Sequence, residues 1–192
     1  MTAITETSRL NDLLKWEEEN FYSRDKVTVA MGQNLVMGVV AGMITNTKKV
    51  TALKLGPTTG AGTVAVTASG TTVTGTGTTF LTTFAVGDKI TANSETHTIS
   101  AITSDTAMTT DAWTGAASGV SYTYLDGAQN AFGIILHPTD ATLADTEGVC
   151  LVREGIVADS MLVWPAGITA AQKAAAIAQL RSPLGIIIKE EA

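Results

Sequence analysis

The sequence predicts an α+β fold that is mostly β. A strand-rich body carries one Ala-rich helix, a small all-β barrel or sandwich is inserted into it, and a flexible N-terminal arm precedes it. Three observations predict this. Apolar, strand-like runs occupy residues 27–56 and 126–192, a Thr- and Gly-rich stretch of short alternating segments fills 57–125, and residues 1–26 are densely charged. The expected domains are an arm (1–26), a discontinuous body (27–56 and 126–192) and an inserted module (57–125).

Composition limits what such a chain does. Only 5% of the 192 residues are aromatic against 45% hydrophobic, so the core is built from Ala, Val, Ile and Leu. Charged residues make up 16%, below the roughly 25% of an average domain, which leaves Thr, Ser and Gly to keep the surface polar. A net charge of -6 with scattered Lys and Arg argues against a nucleic-acid partner, because phosphate backbones select clustered basic residues. No membrane span is expected, since the best apolar stretch, Val27 to Ile44, is broken by Gln33 and Asn34. The N-terminus lacks the basic-then-apolar order of a secretory signal. The single Cys150 excludes an internal disulfide framework and fits synthesis in a reducing cytoplasm.

In the arm, Leu10, Leu13, Leu14 and Trp16 are spaced to form one helical stripe, with Ser8 as its N-cap. A helix of a dozen residues is marginal in water. The residues leave two readings open: the arm orders on a partner, or it packs on its own domain. Body strands are expected at 27–31, 35–44, 50–55, 131–137, 148–154 and 185–190, several as apolar runs suited to burial on both faces. The helix is announced by Thr169 with Gln172 three residues on, a capping box, and is stopped by Ser182-Pro183. Its Ile177 and Leu180 read as core. The insert offers short strands between Gly, Ser, Asn and Asp turns, with Val64, Val66, Ile90, Ile99, Ile102, Tyr122 and Tyr124 facing inward. No helical period is expected there.

Catalytic constellations are not found. Neither His97 nor His137 has a second histidine or a CxxC at ligand spacing. Cys150 sits among apolar neighbours and reads as a buried small hydrophobe. The stretch GTTVTGTGTTF lacks the Gly-Lys-Ser/Thr of a phosphate loop, and acidic residues 140, 145 and 147 lack calcium-loop spacing. The chain is therefore expected not to be an enzyme, with no cofactor and no metal.

Five segments carry a resemblance: YSRDKVTV (22–29), GVVAGMITNTKKVTAL (38–53), DGAQNAFGIILHPTDAT (126–142), VCLVREGIVADSMLVWPAG (149–167) and LGIIIKEEA (184–192). In this order, with the Ala-rich helix before the last, they resemble the head decoration proteins of lambda-like bacteriophages. The resemblance implies a homotrimer seated at local threefold positions of the expanded capsid. It implies binding to the major capsid protein on the outer surface of the virion, stabilising the shell against internal DNA pressure. It also implies that the arm orders against the capsid. The residues expected to bind there are Leu10, Leu13, Leu14, Trp16, Phe21, Tyr22 and Arg24, with Trp16 as anchor. The chain departs from the family in its longer, more amphipathic arm, and its insert has no counterpart in the smallest members. Two other roles stay open. One is adhesion to a host surface glycan through Trp113, Tyr122 and Tyr124 of the insert; the other is a structural place in the tail or neck.

Overall fold

A strand that is apolar on both faces needs cover on both, and the body strands find it by closing into a barrel with a helix laid outside. In the computed structural model of the chain, residues 9–190 are described. They form two compact units. The first runs to Met43 and takes in Lys49–Leu55 and the chain from Asn130 onward; the second comprises Ile44–Lys48 and Gly56–Gln129.

The first unit is built on a closed barrel in the order Ala131–Ile135, Thr146–Leu151, Arg24–Val29, Val50–Ala52, Val40–Met43. Alternation along these strands serves two cores. Ala41, Ile135 and Cys150 join Val27, Val29 and Val50 in one cluster. Val40, Ile134 and Leu151 point the other way, into a cluster shared with Ala176 and Leu180 of the long helix. That helix spans Ala170–Arg181, and its capping box is formed as expected: Thr169 Oγ1 accepts from Gln172 N at 3.2 Å and Gln172 Oε1 accepts from Thr169 N at 3.0 Å. Ile177, expected in the core, is only half-buried.

The segment 35–44, expected as one strand, is two. Gln33–Leu35 pairs with Thr139–Ala141 as a short ribbon, and the chain then turns before Val40–Met43 enters the barrel. The turn falls at Gly38, whose φ is +87° and where a Cβ would stand 2.1 Å from the Met161 carbonyl oxygen. Only glycine fits both constraints.

The second unit is one eight-stranded antiparallel sheet in the order Ala117–Val120, Thr63–Val66, Thr72–Thr76, Ala107–Thr110, Glu95–Ser104, Lys89–Ala92, Tyr122–Tyr124, Thr58–Thr59. The ten-residue strand Glu95–Ser104 carries two register breaks, and its two halves pair with different neighbours. Such breaks bend and twist a strand. Around it lies a core of Val64, Val73, Phe80, Ile90, Ile99, Met108, Trp113 and Tyr122. A helical turn, Phe80–Thr83, corrects the expectation that this region holds no helix. It places Phe80 and Phe84 on one face, with ring centroids 5.9 Å apart, and both are buried.

Candidate functional site

The arm is the segment the sequence singles out, and its described part folds against its own body. Ser8, the expected N-cap, lies outside the described residues. Helix is confined to the turn Leu10–Leu13, where Asp12 Oδ2 accepts from Arg9 N at 2.6 Å. Leu14–Glu17 is then a strand, antiparallel to Gly155–Ala158. The expected helical stripe over Leu10 to Trp16 is thus corrected. A continued helix would rest on local bonds alone, whereas the edge of Gly155–Ala158 offers the same backbone groups a ladder, and tertiary pairing outweighs a weak helical period. Leu13 is fully buried, and Leu10 and Leu14 pack against the same cluster.

Beyond Glu17 the chain makes a tight turn, Glu19–Phe21, in which Asn20 and Phe21 have φ of 58° and 59°. Left-handed backbone is tolerated by asparagine but is strained for a phenylalanine. Ser23, Arg24 and Arg153 hold the turn in place. Ser23 is completely buried; its Oγ accepts from Glu18 N at 3.0 Å and donates to the Glu154 carbonyl at 2.6 Å. Arg24 grips Glu17 with two donors and lies over the Phe21 ring at 5.2 Å. Arg153 donates to the Tyr22 carbonyl and to Asp25, and lies over the Tyr22 ring at 5.2 Å.

The outcome is a hydrogen-bonded shelf bearing exposed aromatics. Phe21 is 68% exposed, Tyr22 57% and Trp16 48%. Of the seven residues expected here, the structure presents these three to solvent and sets Arg24 against the Phe21 ring. It places Leu10, Leu13 and Leu14 behind, against the core. Arg153, Glu17 and Asp25, which hold the shelf, are not singled out by the sequence. The one sign of them there is a pair of charged segments, YSRD and VREG, and nothing in the sequence shows that they meet.

His97 lies between Asp111 and Glu95, Nδ1 and Nε2 each 3.1 Å from a carboxylate oxygen, with its ring 4.0 Å from that of Trp113. The two carboxylates occupy opposite sides of the imidazole, so they do not converge on a common point. Glu95 is held down to about 2, from an ordinary 4.5, chiefly by hydrogen bonds from Thr114 and then from Gly115 and His97. Burial pushes the Cys150 thiol up, away from thiolate character. Among the described residues no group of three His, Cys, Asp or Glu side chains is placed to hold a metal ion. No helix among them is long and apolar enough to cross a membrane. Trp113 and Tyr122, named above for glycan contact, are buried, and Tyr124 packs against the same core. Trp113 Nε1 is spent on Thr110 Oγ1 at 2.8 Å.

The motifs that carried the resemblance therefore meet in space: Tyr22-Ser23-Arg24-Asp25 against Arg153-Glu154, and the Gly133 strand against Cys150 and Leu151. The sequence pattern of the family described as bacteriophage lambda head decoration protein D matches residues 3–89 and 76–186. The chain belongs to that family. No curated protein and no solved structure matches it. The two matching stretches of the decoration-protein pattern overlap at 76–89, inside the second unit, and together span both units. Membership gives the chain a structural role, decoration of a phage capsid, and makes it a component of the virion.

Proposed function

We propose that this decoration protein binds the expanded phage head as a homotrimer, at local threefold positions on the outer surface. It grips the major capsid protein through the shelf at the arm and holds the shell against the pressure of packaged DNA. The observation that carries the reading is that Trp16, Phe21 and Tyr22, close together in the chain, are all exposed, the last two against Arg24 and Arg153 on a backbone that is left-handed at Asn20 and Phe21. Binding hot spots are enriched in Trp, Tyr and Arg, and strain kept at one place marks a site that the surrounding structure over-determines. Arg24 positions the aromatics; Leu10, Leu13 and Leu14 anchor them to the body. Burying a few hundred Å² of apolar surface per copy, at roughly 25 cal/mol per Å², supplies several kcal/mol before ordering costs. Three linked copies multiply that grip through effective concentration.

Co-sedimentation with empty heads tests this. Purified protein should pellet with expanded heads and saturate at a fixed ratio to the capsid subunit, while unexpanded heads bind little. Heads lacking it should leak DNA on heating, and added protein should rescue them. Trp16→Ala should weaken binding tenfold or more. Undecorated heads as robust as decorated ones would overturn the clamp.

A further inference from the structure

The small sheet of the first unit is ordered Leu14–Glu17, Gly155–Ala158, Ile186–Lys189, so both outer strands present an edge. An edge is a row of unpaired backbone donors and acceptors, and proteins usually blunt it with proline, charge or shortness. The edges of the eight-stranded sheet comply, being the two-residue Thr58–Thr59 and the small, Gly-containing Ala117–Val120. Ile186–Lys189 does not: it is three isoleucines with one charge at the end.

Register adds a second observation. Trp16 lies opposite Ile156, and Ile156 opposite Ile187, so one apolar row crosses the outer face of the sheet. Leu14, Val157 and Ile188 form the corresponding inner row and belong to the core. The sheet is complete inward, while Trp16 and Ile187 (45% exposed) remain open outward.

Charge adds a third. Leu14–Glu17 is antiparallel to Gly155–Ala158, and Ile186–Lys189 is parallel to it, so the two edges run in opposite directions. Glu18 and Glu19 follow the first edge and, among the described residues, enter no ion pair. Arg181, whose carbonyl accepts from Gly185 N at 3.1 Å, stands at the start of the second edge, and Lys189 at its end; neither enters an ion pair there. Setting the first edge of one copy antiparallel beside the second edge of another brings Glu18 and Glu19 to Arg181, and Asp12 to Lys189. Glu190, just past Lys189, meets no opposite charge in this arrangement.

We propose that copies of this chain join by this pairing, Leu14–Glu17 of one beside Ile186–Lys189 of the next. The two edges differ, so the contact is head-to-tail, and in a homotrimer it closes into a ring. The inference rests on the assembly proposed above and names its surface. Edge pairing lies in the plane of the sheet, so the row of Trp16, Ile156 and Ile187 stays uncovered and runs on from copy to copy.

Paired cysteines test it in the full-length protein, without heads. Within one copy, positions 16 and 187 are two strand spacings apart, about 9–10 Å, beyond the reach of a disulfide. A bond between them in Trp16→Cys/Ile187→Cys must therefore join two copies, and native Cys150 is buried and silent. Under mild oxidation a non-reducing gel should show a ladder ending at the copy number given by native mass spectrometry, with either single variant, which has no cysteine opposite its own, staying monomeric. A double variant that stays monomeric, whether the native mass shows an assembly or not, overturns the pairing. Reversing the two exposed acids, Glu18→Lys with Glu19→Lys, supplies an independent reading, because the pairing sets them against Arg181. Association should weaken at least tenfold with an unchanged circular-dichroism spectrum, and association equal to wild type overturns the proposal. Wild-type protein that ignores expanded heads, while the double variant cross-links as expected, sinks only the proposed function. Wild-type protein that binds heads, while the double variant fails to cross-link, sinks only the edge pairing.

Discussion

Truncating Leu13 separates an arm that belongs to the body from one that waits for a partner. Leu13 is fully buried in the cluster that holds Val157, Leu162, Leu180 and Ile186. Removing a leucine side chain from such a site costs about 2–5 kcal/mol, through lost burial and the cavity left behind. At about 3 kcal/mol, a domain of this size loses roughly 6–12 °C of melting temperature. The matched control is Phe21→Ala. With 68% of Phe21 exposed, about a third of its roughly 200 Å² is covered, worth at most about 1.5 kcal/mol. Differential scanning calorimetry of both variants, followed by head binding at a temperature where both are folded, gives the comparison. Leu13→Ala should melt well below wild type, whereas Phe21→Ala should melt close to it yet bind heads poorly. If Leu13→Ala melted within about 2 °C of wild type, the arm would not be part of the core and this account of the shelf would fail.

Gly133→Ala should cost about 3 kcal/mol in urea denaturation, because a Cβ there would stand 2.4 Å from the Leu151 carbonyl oxygen and 2.7 Å from Cys150 Sγ; an unchanged midpoint would show that the barrel gives way. The depressed carboxyl of Glu95 favours the folded state fully above the ordinary 4.5, and that contribution is lost as pH falls toward about 2. The melting-temperature gap between wild type and Glu95→Gln should accordingly shrink over this window, and a constant gap would refute the assignment. Replacing residues 57–125 with a short Gly/Ser linker should leave a soluble protein that still binds heads, by co-sedimentation; loss of folding would deny the insert its independence.

What the sequence made legible was whatever local rules decide. Thr169 and Gln172 announced the start of the helix because a capping box is a four-residue affair. The apolar runs announced strands because burial on two faces leaves no polar alternation to read. Long-range geometry stayed hidden. The turn at Gly38 exists because Met161, more than a hundred residues away, passes close to it. The arm's helical period was present and lost to a strand edge at Gly155–Ala158. In the second unit, Phe80 and Phe84 are a helical i, i+4 pair standing in a field of threonines, and the threonines mask the pair. At the site, Trp16, Phe21 and Tyr22 were legible as aromatics in a charged stretch. Their mount was not, because Arg24 finds Glu17 locally but Arg153 finds Asp25 across the chain.

The barrel also sets a timetable for synthesis. Arg24–Val29 can pair only with Thr146–Leu151 and Val50–Ala52, and Val40–Met43 only with Val50–Ala52 and Ala131–Ile135. A ribosome adding about 5–20 residues per second needs roughly 5–20 seconds to go from the end of Val50–Ala52 to the end of Thr146–Leu151. Throughout that interval the early strands are out without their closing partners, while the threonine-rich unit emerges between them with nearly all its own core. The unit made in the middle therefore has its own core to hand first. The ends must stay unaggregated until the last third of the chain arrives, because Val27, Val29 and Val40 lack their later-made cover until then.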